Sequence, residues 1–241
     1  RLAKFGVNLV RFHQLDGDWS TPNIFQFTKG ARLDHTRQLD PESMDRLDYL
    51  IHCLKEEGIY VYLDMLTYRR FRSGDGVAEP EKLRPAARPY SNFDPRLIEL
   101  QKEFCTQIWT HVNPYTGLAY KDDPVIALSE IANENEMFGE LGGMFEPYRT
   151  QLEKRYLAWR RERKLPAPAL PVDFKVFDAE LLAFVVETMK AYYTEMYQHL
   201  QGLGVRIPVT GTNWQVGGAA LLETQRQFPF MDSHTYFYNW G

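Results

Sequence analysis

The chain has 241 residues, of which 44% are hydrophobic and 25% are charged, and its formal net charge at pH 7 is −4. This composition is typical of a soluble globular protein, and the negative charge argues against binding to nucleic acid or to an anionic membrane surface. No apolar run approaches the roughly 18 residues of a membrane span. The length nearly accommodates one α/β barrel, which usually needs about 250 residues.

Strands alternate with helices along the chain, which is the pattern of parallel βαβ units. Predicted strands cover 5–12, 59–66, 205–212 and 230–237, and a further strand, third in chain order, begins at 123–124. Predicted helices follow the N-cap signals Asp40-Pro41, Asp94-Pro95 and Asp178, and a shorter helix is predicted over 219–228. Cys53 and Cys105 fall on the apolar faces of predicted helices, so we expect buried free thiols.

Residues 138–177 are predicted to be an insertion in the loop that follows the third predicted strand. Within it, 147–164 is highly charged and predicted to be helical, and the proline-rich 165–172 is predicted to be a stiff linker. Five predicted strands fall short of the eight of a closed barrel. We therefore expect one partial barrel domain over 1–241, as in a fragment of a longer chain. A secreted or periplasmic location is slightly favoured over the cytoplasm.

The most informative stretch is 124–136, where an apolar run of strand length ends abruptly in polar and acidic residues. Because side chains alternate along a strand, Glu130, Ala132 and Glu134 are expected to share one face, with Glu134 at the carboxyl end. Glu134 is the candidate proton donor, with a pKa that burial and neighbouring carboxylates are expected to raise. Asn133 is placed to donate to a sugar hydroxyl.

The segment Glu130-Ile131-Ala132-Asn133-Glu134 resembles the fourth-strand signature of clan A glycoside hydrolases, especially family 5, which includes cellulases and mannanases. Further segments resemble strands two, three, five and six of that family in the right order; they are 6–11, 59–66, 209–214 and 232–236. The resemblance spans nearly the whole chain outside the insertion. It implies a (β/α)8 TIM barrel that is incomplete here, holding strands two to six.

The resemblance also implies an activity, namely retaining hydrolysis of β-glycosidic bonds in oligo- or polysaccharides by a two-carboxylate double displacement. Glu134 corresponds to the acid/base, Arg11 supports the nucleophile, and His234 and Tyr236 line the site. No cofactor or metal is implied. Two features depart from the family. Asn135 stands where the family often has Pro, and no residue here matches the nucleophile Glu of strand seven, which the resemblance therefore places outside this segment.

The substrate-binding candidates are His13, which is expected to reach a sugar hydroxyl, and two tryptophans, Trp214 and Trp240, as stacking platforms for sugar rings. Weaker candidates for stacking are Trp19, Phe25 and Tyr238. Two other functions stay open at this point. One is a barrel that binds carbohydrate without cleaving it, and the other is a metal-dependent barrel of the sugar isomerase type, with Glu130, Glu134 and Glu136 as oxygen ligands.

Overall fold

The computed structural model of the protein describes residues 1–19, 23–25, 33–213 and 217–235. Within these ranges four parallel strands form one sheet in the order β1-β2-β3-β4, with bounds Leu9–Phe12, Tyr60–Leu66, Ile126–Ala132 and Val209–Thr210. The α-helices of the same ranges are α1 Pro41–Glu56, α2 Pro95–Thr110, α3 Tyr148–Glu162, α4 Ala179–Leu203 and α5 Ala219–Gln225. This alternation of strand and helix is the predicted one, and the open sheet is that of an incomplete α/β barrel.

The sheet lies in the core of the domain. All residues of β2 after Tyr60 are buried, and β3 is buried over its last four residues. Burial on both faces is expected of parallel strands, because the crossover helices cover the sheet. The strand register sets Asp64 beside Glu130, and Glu130 beside Thr210, so charged side chains enter the sheet near the carboxyl ends of its central strands.

The three predicted helix caps are confirmed. The carboxylates of Asp40, Asp94 and Asp178 each accept a hydrogen bond from the backbone N–H three residues further on, at 2.9, 2.9 and 2.7 Å. A cap of this kind satisfies one of the N–H groups that the first turn leaves without an intrahelical partner. The helices therefore begin where the sequence predicts.

Three predicted strands differ from the structure. The first is shorter at its start, because Ala3–Phe5 forms a 3-10 turn that ends on Gly6 in the left-handed region, at φ 75°. The fourth is reduced to Val209–Thr210, since Pro208 has no N–H to donate to a neighbouring strand. In the fifth, 230–235 is not a strand, and 236–237 lies outside the described residues.

Residues 133–178 lie between β3 and α4, and the predicted helix within them is α3. Tyr156 of α3 packs against Phe184 of α4, with ring centroids 5.0 Å apart. Tyr148 stacks on Tyr90, in the loop that follows β2, at 4.4 Å. These contacts hold α3 against the rest of the domain, whereas the definition of 138–177 as an insertion stays a prediction.

Both cysteines are free thiols, as predicted, but Cys53 is only partly buried, whereas Cys105 is fully buried. Among the described residues, no helix has both the length and the apolar character needed to cross a membrane.

Candidate active site

A cluster of charged side chains lies at the carboxyl ends of the strands, with Arg11 of β1 at its centre. Arg11 Nε donates to both carboxylate oxygens of Asp64 at 3.0 and 2.9 Å, and Nη2 donates to Glu130 at 3.2 Å. Nη1 donates to Asp232 at 2.7 Å and approaches His234 Nε2 at 3.2 Å. Burial lowers the pKa of Arg11, but the charges of Asp64 and Glu130 outweigh it and raise the pKa above its usual value. Arg11 therefore stays charged and ties three strands together.

Glu130 is the most deeply placed carboxyl of this cluster. Its Oε1 accepts from Arg11 and from Asn213 Nδ2, the latter at 2.8 Å, while the buried Oε2 has no hydrogen-bond partner among the described residues. Burial, followed by the charge of Asp64, raises the pKa of Glu130 well above its ordinary range, against the opposing influence of Arg11. Glu130 thus lies deeper than Glu134, as predicted, and is bonded within the core of the sheet.

Glu134 does not continue the strand alternation that the sequence suggests. Strand β3 ends at Ala132, and Glu134 adopts a left-handed backbone conformation at φ 44°, which is uncommon for a residue other than glycine. Its N–H donates to Asn213 Oδ1 at 2.9 Å, and its Oε1 lies 3.0 Å from His234 Nδ1. The side chain is 13% exposed. A turn held by Asn213, rather than alternation, therefore sets the direction of the carboxyl group.

The hydrogen bonds of His234 define its tautomer. An arginine N–H is only ever a donor, so His234 Nε2 must accept from Arg11. The ring hydrogen of a neutral imidazole then lies on Nδ1, which donates to Glu134 Oε1. Because Oε1 of Glu134 accepts this bond, a proton bound to Glu134 lies on Oε2. The backbone N–H of His234 donates to the carbonyl of Asn213 at 2.8 Å, which fixes the segment that carries the ring.

Asn213 connects the parts of the site and also sets the orientation of a second amide. Because Asn213 Oδ1 accepts the Glu134 N–H, its Nδ2 is the donor, and Nδ2 reaches Asn133 Oδ1 at 2.9 Å. The Nδ2 group of Asn133 must then point away from Asn213. It is buried and has no hydrogen-bond partner among the described residues, an arrangement that is costly unless a ligand or water accepts the bond.

His13 lies on the β1 side of the same cluster. Its Nδ1 is 2.5 Å from Asp64 Oδ2, and its ring centroid is 6.2 Å from that of His234. Asp64 therefore binds Arg11 and His13 at once. Tyr62 completes this side, with its hydroxyl 3.1 Å from Asp232 and its ring beneath the Arg11 guanidinium at 4.5 Å.

The structure brings together five of the predicted site residues, namely Arg11, His13, Asn133, Glu134 and His234. Tyr236, Trp214 and Trp240 lie outside the described residues.

The sequence did not predict the roles of Asn213 and Asp232. Asn213 directly follows a predicted strand, and Asp232 precedes the predicted site residue His234 by two positions, and these positions are the available signal. Within the described ranges, no group of three or more His, Cys, Asp or Glu side chains is placed to hold a metal ion.

No protein-family model matches the chain, and no curated protein matches its sequence. Among solved structures, the endo-1,4-β-D-mannanase from Thermotoga petrophila RKU-1 is similar, with a TM-score of 0.50 and 17% identity; the match covers 89% of this chain and 51% of the mannanase. The β-galactosidase from Bacillus circulans sp. alkalophilus is similar with a TM-score of 0.53 and 17% identity, over 88% of this chain and 33% of the galactosidase.

The chain spans about half the length of the mannanases that it matches, 51% and 52% for two of them. At this level of identity the likeness shows the fold alone. The chain has the fold of an incomplete (β/α)8 barrel, as its strand motifs imply, and it shares this fold with these two glycoside hydrolases, the Thermotoga petrophila mannanase and the Bacillus circulans β-galactosidase.

Proposed function

We propose that this chain carries the acid/base half of the active site of a retaining β-glycosidase, with Glu134 as the acid/base. The observation that supports this most is the turn after β3. It holds the Glu134 carboxyl in a fixed, largely buried position beside Asn133, whose buried Nδ2 has no partner among the described residues. A proton donor next to a spare hydrogen-bond donor suits a sugar, which presents a glycosidic oxygen and neighbouring hydroxyls.

The proposed chemistry is a double displacement. In the first step Glu134 gives its proton to the leaving-group oxygen while a second carboxylate attacks the sugar and forms a covalent intermediate. In the second step the Glu134 carboxylate removes a proton from water, which releases the sugar with retained configuration. The His234 Nδ1–H group holds Oε1 through both steps, so the proton moves on and off the other oxygen.

The remaining residues have supporting roles in this proposal. Asn133 donates to a hydroxyl of the sugar through Nδ2, and Arg11 with Asp64 and Asp232 keeps His13 and His234 in place. The orientation of the nucleophile by Arg11 stays a prediction, as do the contacts of Tyr236, Trp214 and Trp240 with the nucleophile or substrate.

The attacking carboxylate must lie about 5 to 5.5 Å from the acid/base in a retaining enzyme. No residue of 1–241 matches the position that the family resemblance gives it. Glu136 is not a candidate, because it is buried and its carboxylate accepts from the N–H of Gly139 at 3.0 and 3.2 Å. The proposal therefore assigns Glu134 alone, and it is tested in the intact protein.

The test compares Glu134→Gln with the unmodified protein on polysaccharides and on aryl β-glycosides of different leaving groups. General acid catalysis is typically worth about 10²- to 10⁴-fold. We expect a loss of that size on natural substrates, which have poor leaving groups, and a much smaller loss in the bond-cleavage step for activated aryl glycosides, which need little protonation.

The matched control is Glu136→Gln, a buried glutamate two residues away that retains an oxygen to accept from Gly139; it is expected to keep its activity. Equal losses for all leaving groups would contradict the role of Glu134 as the acid. Activity in neither protein, with glycan binding intact, would favour a carbohydrate-binding barrel that does not cleave.

A further inference from the structure

A row of four rings leads away from the candidate acid/base. His234, which binds Glu134, has its ring centroid 6.2 Å from that of His13. The His13 ring meets Tyr68 edge to face at 5.7 Å, and Tyr68 meets Trp19 at 4.8 Å. The row therefore runs from the site over the loops that follow β1 and β2, and Trp19 is three ring contacts away from His234.

Trp19 is both open to solvent and held in place, which is an unusual combination for so large an apolar side chain. It is 51% exposed, yet its indole Nε1 donates to Gln14 Oε1 at 3.1 Å. The indole also lies so close to Gly17 that a Cβ built there would be 3.3 Å from two ring carbons. With Tyr68 against it, the ring is fixed by three independent contacts.

The inner members of the row are equally well anchored. His13 is bonded to Asp64, and the Arg88 guanidinium lies over the Tyr68 ring at 5.7 Å while its Nη2 donates to the carbonyl of Thr67. A flat ring that is already fixed loses little conformational entropy on binding, so a ligand that stacks on it gains more affinity.

We propose that the Trp19 indole is the stacking platform of a distal sugar subsite, so that the ligand is an oligo- or polysaccharide that extends from Glu134 along the ring row. This inference rests on the proposed function for the position of the bond to be cleaved. The apolar C–H face of a pyranose matches the face of an indole in size, and burying the two against each other removes apolar area from water. Trp19 then makes affinity depend on the number of sugar units.

The experiment measures binding of β-1,4-linked manno- and gluco-oligosaccharides, from disaccharide to hexasaccharide, to the intact protein. The Glu134→Gln background prevents turnover, and binding is followed by calorimetry. With Trp19 present, affinity is expected to rise with chain length. Trp19→Ala should remove most of that rise, with a loss of about tenfold for the hexasaccharide and a much smaller loss for the disaccharide.

Two further variants make the result specific. Trp19→Tyr keeps a flat ring and is expected to recover part of the lost affinity, whereas Trp19→Leu, which is apolar but not flat, is not. Tyr49→Ala removes an equally exposed ring, 54% accessible, on α1, where it packs against Tyr115 in the connection that leads to the amino end of β3. Tyr49→Ala is expected to leave the length dependence unchanged.

The proposed subsite is wrong if Trp19→Ala keeps the full rise of affinity with oligosaccharide length, or if Tyr49→Ala reduces that rise equally. It is also wrong if affinity does not rise with length in the unmodified protein. None of these outcomes bears on Glu134, because the binding measurement needs no catalysis. Conversely, a failure of the Glu134→Gln kinetics with Trp19-dependent binding intact overturns the proposed chemistry and leaves the subsite standing.

Discussion

At the scale of single residues, Asn213 organises the site through four hydrogen bonds. Its side chain accepts the Glu134 N–H, donates to Asn133 and Glu130, and its backbone carbonyl accepts the N–H of His234. These partners lie between 21 and 83 positions away in the sequence (213 against 130 to 234). A sequence pattern of neighbouring residues does not reveal contacts between such distant positions. The sequence therefore predicted Asn133 and Glu134 but not Asn213, the amide that orients them.

We expect Asn213→Asp to lower kcat/KM at least tenfold in the intact protein. An aspartate retains an oxygen for the Glu134 N–H but loses the donor to Asn133 and places a second carboxylate against Glu130. Leaving buried groups unpaired costs about 1–3 kcal/mol each, and the Asn133 amide is released from its fixed orientation. Steady-state kinetics and urea unfolding are measured together.

The control for this change is Asn113→Asp, at a buried asparagine between α2 and β3. Like Asn213, it uses both ends of its amide: Nδ2 donates to the carbonyl of Asp48 at 3.0 Å, and Oδ1 accepts from the Tyr115 N–H at 2.9 Å. Both variants should lose stability, but only Asn213→Asp should lose activity. Equal loss of activity in the two proteins would show that Asn213 contributes only to folding.

Glu130 gives a prediction about pH. Because folding raises its pKa above the unfolded value of about 4.3, the folded state holds the proton more tightly, and this contribution to stability is lost as pH rises above that value. Glu130→Gln removes the titration, so its unfolding free energy should fall less steeply as pH rises above about 4.3. The two curves should therefore diverge as pH rises.

Urea unfolding at a series of pH values measures this difference. The control is Glu99→Gln, an exposed glutamate on α2 that pairs with Arg96, and its curve should run parallel to that of the unmodified protein. Parallel curves for Glu130→Gln as well would contradict a raised pKa at Glu130.

At the scale of secondary-structure elements, local signals predicted well where the cause is local. The Asp caps lie within three residues of the N–H groups they satisfy, so the starts of α1, α2 and α4 follow from the sequence. Strand ends depend on neighbours. Strand β4 pairs only with Ser129 and Glu130 of β3, and Pro208, just before it, has no N–H with which to extend the pairing. Apolar character alone therefore predicted a strand that was too long.

The direction of the Glu134 side chain shows the same limit. Alternation along a strand predicts the face of a side chain only while the strand continues. Strand β3 ends at Ala132, two residues before Glu134, so the rule does not apply there. The left-handed turn that follows is held by Thr212 and Asn213, just after β4, and these contacts form only when the strands are assembled.

At the scale of the whole molecule, the order of strands and helices predicted a parallel sheet, and parallel strands present their carboxyl ends at one edge. That rule alone places Arg11, Glu130 and Glu134 together. It does not reveal that Arg11 binds three carboxylates, because the number of partners depends on packing between distant segments such as β1 and Asp232.

The most direct test of the central claim is chemical rescue of Glu134→Ala in the intact protein with azide and an activated aryl β-glycoside. The activated substrate needs no acid to form the glycosyl intermediate, and azide attacks that intermediate without a general base. If Glu134 is the acid/base, azide restores turnover and the product is the β-glycosyl azide. An α-glycosyl azide would instead make Glu134 the nucleophile, and activity without any response to azide would contradict the acid/base assignment.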